Sequence, residues 1–224
     1  EEINVKKIII GKQGDSKEQY DKLLEISKKK MIPIIVVEKG DIINIERDLK
    51  IRILFPTNEL IEENVLNNNS VVAKLEYKKF SMLFTGDIEK IAEEKLLKNI
   101  SNNLLKTDIL KVAHHGSKTS SIQEFVKKVQ PKIALIGVGK NNKFKHPDSE
   151  VLNRLQQLGT IIYRTDVNGE ISIKVDRKGR IDIKKFLDWL FNIISLFCIE
   201  ITFRVNNKIK VNYILRKDVI WYEE

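Results

Sequence analysis

Cysteine is almost missing from this sequence. Cys198 is the only one among 224 residues, so no disulfide can close within the chain and no Cys-based zinc site can form. A single thiol leaves the redox compartment undetermined. Histidine is nearly as scarce, with three residues in all. The apolar run between Asp188 and Glu200 is too short to span a bilayer, and reads as a docking surface or core helix rather than an anchor. No internal repeat or low-complexity segment breaks the chain. The opening "EEINVKK" has neither an initiator Met nor a signal-peptide pattern, from which a processed or partial chain is expected.

What is present suits a folded domain. Hydrophobic residues make up 42% and charged residues 32%, enough apolar side chains for a sizeable core. The length fits one large domain, or one domain with an appendage. A net charge of +9 favours polyanionic partners such as nucleic acid or an anionic membrane surface. The abundance of Lys, Asn and Ile accounts for the same charge as a genomic bias.

The hydrophobic pattern divides the chain. "VKKIII" reads as a strand. "GDSKEQYDKLLEISKKK" reads as a helix with a capping-box pattern at Ser16 and Gln19. "IPIIVV" is a strand. Two short strands then meet at Arg47-Asp48, and "SVVAKLEY" with "FSMLFTGD" form a hairpin around Lys78-Lys79. After Asp87 the rhythm changes to helix (89–98), strand "DILKVA", helix (120–129), strand "KIALIGV", helix (148–158) and strand "TIIYRT", with "GEISIKV" as a closing strand. Hairpins followed by β-α-β-α-β predict a mixed sheet flanked by helices. Residues 1–180 are read as this domain, and 181–224 as an appended helix plus a hairpin around Asn206-Asn207.

Four polar clusters fall at predicted strand ends: "NNNS" at 67–70, "TGD" at 85–87, "HHGS" at 114–117, and "GKNNKFKHPDS" with His146. Loops at one sheet edge are where α/β proteins build their sites. An Asp and two or three His there suit a hard-to-borderline metal ion. Each cluster alone has an ordinary explanation, since Gly-Asp is a common turn and Asp148 or Ser149 can simply cap a helix. Their order is the more specific signal.

The ordered set "NNNSVVAKLEYKKFSMLFTGD", "LKTDILKVAHHGSKTS", "PKIALIGVGKNNKFKHPDSEVLNRLQQLG" and "YRTDVNGEISI" resembles the metallo-β-lactamase-fold domain of the ComEC/Rec2-like competence DNA-uptake family, over about residues 3 to 176. The resemblance implies an α/β (α+β) fold, an αββα sandwich incomplete at its N-terminus. It implies a divalent metal cofactor, Zn or Mn, with two ions in an intact domain. Asp87 matches the bridging metal ligand. His114 and His115 match the final His position, and by strand alternation one of the two is expected to bind metal while the other holds the site or substrate. His146 matches the family's His-Pro, a substrate-side acid or ligand. The catalytic set implied is thus Asp87, His115 and His146, and the metal set Asp87, His114 and His115. Asn67, Asn68, Ser70, Ser117, Lys118 and Ser120 are implied to serve substrate.

The family's HxHxDH loop is absent, and no His precedes position 114. The resemblance therefore implies half a metal site, an enzyme fragment inactive alone, and an open sheet edge near "VKKIII" that a missing N-terminal half or a second copy would cover. Expected partners are DNA or another phosphoester, with a membrane reached only through a parent protein. A non-catalytic nucleic-acid-binding remnant and a hydrolase acting on another phosphoester or on cell wall are the competing readings.

Overall fold

The computed structural model describes residues 5–12, 18–186, 199–205, 209–216 and 219–220. The chain starts with a β-α-β unit: β1 (Ile8–Gly11), α1 (Glu18–Lys29) and β2 (Ile34–Val37), the two strands parallel. The expected cap at Ser16 lies outside the described residues. An antiparallel meander follows, made of β3 (Ile42–Glu46), β4 (Leu49–Phe55), β5 (Val72–Tyr77) and β6 (Phe80–Phe84), with the short helix α2 (Val65–Asn68) between β4 and β5. The polar pairs Arg47-Asp48 and Lys78-Lys79 make the tight turns, and Lys78 takes the left-handed conformation that such turns need.

Beyond β6 the chain winds through helices and parallel strands. These are α3 (Lys90–Asn99), α4 (Asn102–Leu105), β7 (Ile109–Lys111), α5 (Gln123–Val129), β8 (Ile133–Ile136), α6 (Ser149–Gln157) and β9 (Ile161–Arg164). The seven strands β3 to β9 lie in sequence order in one sheet, antiparallel at the start and parallel from β6 onward. Strands β7 and β8 are short apolar runs because helices cover one face and a second sheet covers the other.

That second sheet begins after α7 (Thr165–Asn168), with β10 (Glu170–Val175), β11 (Ile181–Phe186), β12 (Ile199–Val205), β13 (Ile209–Arg216) and β14 (Val219–Ile220). Its order is β11-β10-β12-β13-β14. Alternation along each strand sorts two cores. Leu83, Leu110, Ala134 and Ile136 face Leu96, Phe125, Val126 and Leu155 of the helices. Ile53, Leu75, Met82, Ile109 and Leu135 face Ile171, Ile173 and Val175 of β10. The layers are therefore helices, main sheet and second sheet.

The tail departs from the expected helix at its start. Lys184, Lys185 and Phe186 continue β11, paired with Ser172, Ile171 and Glu170. The strand period of "IDIKKF" runs on because β10 offers a ladder for every residue. The remainder of the expected helix, 187–198, lies outside the described residues. β12 and β13 form the expected antiparallel hairpin, and β12 also pairs in parallel with β10, so strands on both sides of residue 180 share one sheet. Among the described residues, β1 has a single hydrogen-bonded neighbour strand, β2.

Candidate metal and phosphoester site

Three neighbouring strands end at one edge of the main sheet, and their loops build the site. From β6, Thr85 donates its hydroxyl to the Lys111 carbonyl (2.6 Å), tying the start of the TGD loop to β7. From β7 the chain enters a tight turn, Ala113–Gly116, and the His114 amide donates to the Gly86 carbonyl (3.1 Å). From β8 comes the loop that carries His146.

The two histidines do not alternate as strand residues. His114 (φ 47°) and His115 (φ 55°) both adopt the left-handed conformation, which a non-glycine residue enters only at an energetic cost and only where its surroundings hold it. Left-handed turning, not β-pleating, sets where the two rings go. This corrects the alternation expected from sequence.

His115 donates its Nδ1–H to the Gly137 carbonyl (2.6 Å), leaving the Nε2 lone pair 3.7 Å from Asp87 Oδ1. Burial, together with the charge of Lys111, holds its pKa below the ordinary imidazole range, against the pull of the Gly137 carbonyl and Asp87. The ring is thus neutral near pH 7, with a free nitrogen beside a carboxylate, which is the usual arrangement of a metal-binding histidine. His114 Nδ1 is buried without a hydrogen-bond partner, and Glu89 Oε1 lies 3.4 Å away. His146 meets His114 edge-on, with ring centroids 5.9 Å apart. Burial and the neighbouring histidines lower its pKa also.

Gly116 makes the convergence of loops possible. Its φ is +80°, and a Cβ there would lie 2.6 Å from the Pro147 Cβ. Its carbonyl accepts the Asp148 amide (2.8 Å), so the His146 loop packs directly on the histidine turn.

The 67–70 segment lies under the Asp87 loop. Ser70 Oγ accepts the Asp87 amide (3.2 Å) and Asn68 Oδ1 accepts the Glu89 amide (3.0 Å), while Asn68 Nδ2 donates to the Glu63 carbonyl. The Asn67 carbonyl accepts the Ser70 amide. Ser117 is buried, with its hydroxyl paired to that of Thr119 (3.0 Å). Ser120 is fully buried and donates to the Ala113 and Ser117 carbonyls. Lys118 is exposed and lines a cavity of about 690 Å³ beside the site, together with Glu89, Lys90, Thr119 and Arg154. The fold thus gathers Asp87, His114, His115 and His146, sets Asn68, Ser70 and Ser120 among backbone groups, and leaves Lys118 at the rim.

Two carboxylates escaped the sequence reading. Glu89 accepts from Thr119 Oγ1 and Asn64 Nδ2, both at 2.9 Å, and faces His114. Its only sequence signal is its place two residues after Asp87. Glu93 is completely buried under α5, accepting the Ser121 (2.6 Å) and Ile122 (2.8 Å) amides, and burial pushes its pKa up to about 7. A charged residue between Ala92 and Leu96 on an apolar helix face was its signal.

The donor set suits a divalent ion: a neutral imidazole nitrogen, a carboxylate oxygen and an orphaned buried imidazole nitrogen. Among the described residues, no group of three or more His, Cys, Asp or Glu side chains has closed to metal-holding geometry. The residues present fit one side of a metal site.

Sheet and loops define an α/β protein whose candidate site lies at the C-terminal ends of parallel strands. No family model matches the chain. It is similar to the ComE operon protein 3 of Bacillus subtilis, 38% identical over 170 residues, covering 76% of this chain and 21% of the relative. It is similar also to Recombination protein 2 of Haemophilus influenzae, 33% identical over 152 residues (66% and 18%), and to the competence protein ComA of Neisseria gonorrhoeae, 34% identical over 124 residues (54% and 18%). The chain is homologous to one segment of these ComEC-family competence proteins, and spans about a fifth of the length of the curated relatives it matches. Among solved structures, a protein described as a metal-dependent hydrolase from Parabacteroides distasonis aligns with TM-score 0.43 and 17% identity, covering 70% of this chain and 76% of that one. One described as a zinc-dependent hydrolase of the metallo-β-lactamase superfamily from Thermotoga maritima aligns with TM-score 0.33 and 11% identity, covering 80% and 75%. No residue role follows from likeness at that level.

Proposed function

We propose that this chain carries one side of a metal-dependent phosphodiesterase site acting on DNA in competence. The observation that carries the reading is the His115 ring, aimed by the Gly137 carbonyl so that Nε2 stands 3.7 Å from Asp87 Oδ1. His115 Nε2, Asp87 and the orphaned His114 Nδ1 are the groups that would hold a divalent ion, zinc or manganese, whose charge polarises a phosphoryl oxygen. His146 is the proton-transfer group: burial and its histidine neighbours keep it neutral, able to take a proton at a ring nitrogen and return it to a leaving oxygen. Lys118 sits at the rim, where its ammonium meets a phosphate. Ser70 and Asn68 act indirectly, by fixing the amides of Asp87 and Glu89.

Asp87, Glu89 and at most three histidines are too few ligands for two ions, so in this reading the remaining donors come from outside the described residues. A segment supplying them, or a second copy, completes the set in this reading. Alone, the chain then holds metal weakly and does not turn over substrate, because each missing ligand leaves a retained water and lowers affinity. The test is metal content after dialysis, alongside DNA cleavage with added Mn²⁺ or Zn²⁺. Two tightly held ions, or robust turnover by this chain, would overturn the ligand assignment. Undiminished cleavage by Asp87→Ala in a protein carrying the whole site would overturn the site itself.

A further inference from the structure

We propose that Phe144 is a stacking platform for one unpaired base of a single-stranded nucleic acid, with Lys140, Lys143 and Lys145 holding the flanking phosphates. Phe144 is 66% exposed on the loop between β8 and α6. Its ring lies stacked on His146, with centroids 5.7 Å apart and planes inclined by 15°. His146 in turn meets His114. A base stacked beside Phe144 therefore has its backbone within reach of the histidine cluster.

The loop is built to present the ring. Asn142 Nδ2 donates to the Gly139 carbonyl (3.0 Å) and the His146 carbonyl (2.8 Å), while its Oδ1 accepts the His146 amide (2.9 Å). One side chain thus clamps both ends of the segment that holds Phe144. Lys145, at φ 57°, closes the turn through its amide to the Asn142 carbonyl (3.2 Å). Lys143 Nζ lies over the Phe144 ring, 5.0 Å from its centroid, so an incoming base takes the place of this ammonium on the ring, and the flexible lysine is then released to a flanking phosphate. All three lysines are exposed, and the nearest acid along the chain, Asp148, is turned to the Glu150 amide as the cap of α6. Aromatic rings among lysines bind single strands because every base has a π-face, whereas bases in a duplex are already stacked on one another.

The inference rests on the phosphodiesterase reading for the class of polymer, and a binding assay without metal separates the two. Fluorescence anisotropy in EDTA would compare a short labelled DNA single strand with its duplex, over a salt series. The full chain is expected to prefer the single strand. Phe144→Ala should weaken single-strand binding about tenfold, leaving duplex binding and the salt slope unchanged. Phe144→Trp should keep the affinity, with emission quenched on binding beyond any change in the parent chain. Lys143→Gln should reduce the salt slope by about one. Equal affinity of Phe144→Ala and the parent chain for the single strand would overturn the platform even if the whole site cleaves DNA. Binding lost through Phe144 in a protein that carries the whole site yet cleaves nothing would support the platform while the phosphodiesterase reading falls.

Discussion

Replacing Glu93 with Gln should remove a specific share of the protein's pH dependence. The Glu93 carboxyl is fully buried and its pKa is pushed from 4.5 to about 7, by burial first, with the two amide donors and the charge of Arg154 opposing. In the unfolded chain it titrates near its ordinary value. A carboxyl whose pKa is higher when folded contributes stability that is fully present below the unfolded value and is lost as pH rises toward the folded one. At about 1.4 kcal/mol per pH unit, the loss between about pH 4.5 and pH 7 is about 3 kcal/mol. His115 and His146 act in the opposite sense, because their depressed pKa values give stability present above the ordinary imidazole range and lost as pH falls. The parent chain alone therefore mixes both effects, and the difference between it and Glu93→Gln isolates the carboxyl. The variant keeps one acceptor but turns an NH₂ toward one of the amides of Ser121 and Ile122, costing about 1–2 kcal/mol at acid pH. Urea midpoints at about pH 5 and about pH 8 should show the variant less stable at the first and level with, or above, the parent at the second. An identical pH slope for the two proteins would refute the argument.

Gly116→Ala should destabilise the fold by about 1–3 kcal/mol and displace the His146 loop, since the new methyl meets Pro147 at a left-handed position; thermal unfolding and the His146 NMR shift would report both. Lys74 is buried and donates to the carbonyls of Lys106 (2.6 Å), Leu104 (3.0 Å) and Asn103 (3.4 Å) at the end of α4. Lys74→Met leaves those carbonyls without their donor and should cost about 1–3 kcal/mol in a urea titration. Deleting residues after 186 removes β12 from beside β10 and should promote association measured by light scattering, because a bared strand edge pairs with other chains. Unchanged, monodisperse behaviour would show that β12 does not guard that edge.

Much of the fold can be read directly from the residues. The meander was legible because period-two alternation and the polar pairs at 47–48 and 78–79 are local signals, and the parallel strands because "ILK" and "IALI" are apolar on both faces. The strand ends were legible too, and with them the loops holding Asp87, His115 and His146. The strand pairing of residues 184–186, where a helix was expected to start, was not, because the ladder that β10 offers them is no local signal. Glu93 was equally hidden: its burial depends on α5 lying across α3.

By itself, then, the sequence determined where most of the strands and the longer helices form up to β10 and which polar residues stand at their ends, because periodicity and turn chemistry act over a few residues. Only the tertiary structure decided how those end residues meet. The left-handed turn at His114 and His115 sits between the Gly86 carbonyl and Pro147, groups distant along the chain, and the ring that faces Asp87 is chosen by the Gly137 carbonyl of the next strand. Such contacts form only when separate loops are packed at one sheet edge, so no local pattern can encode them.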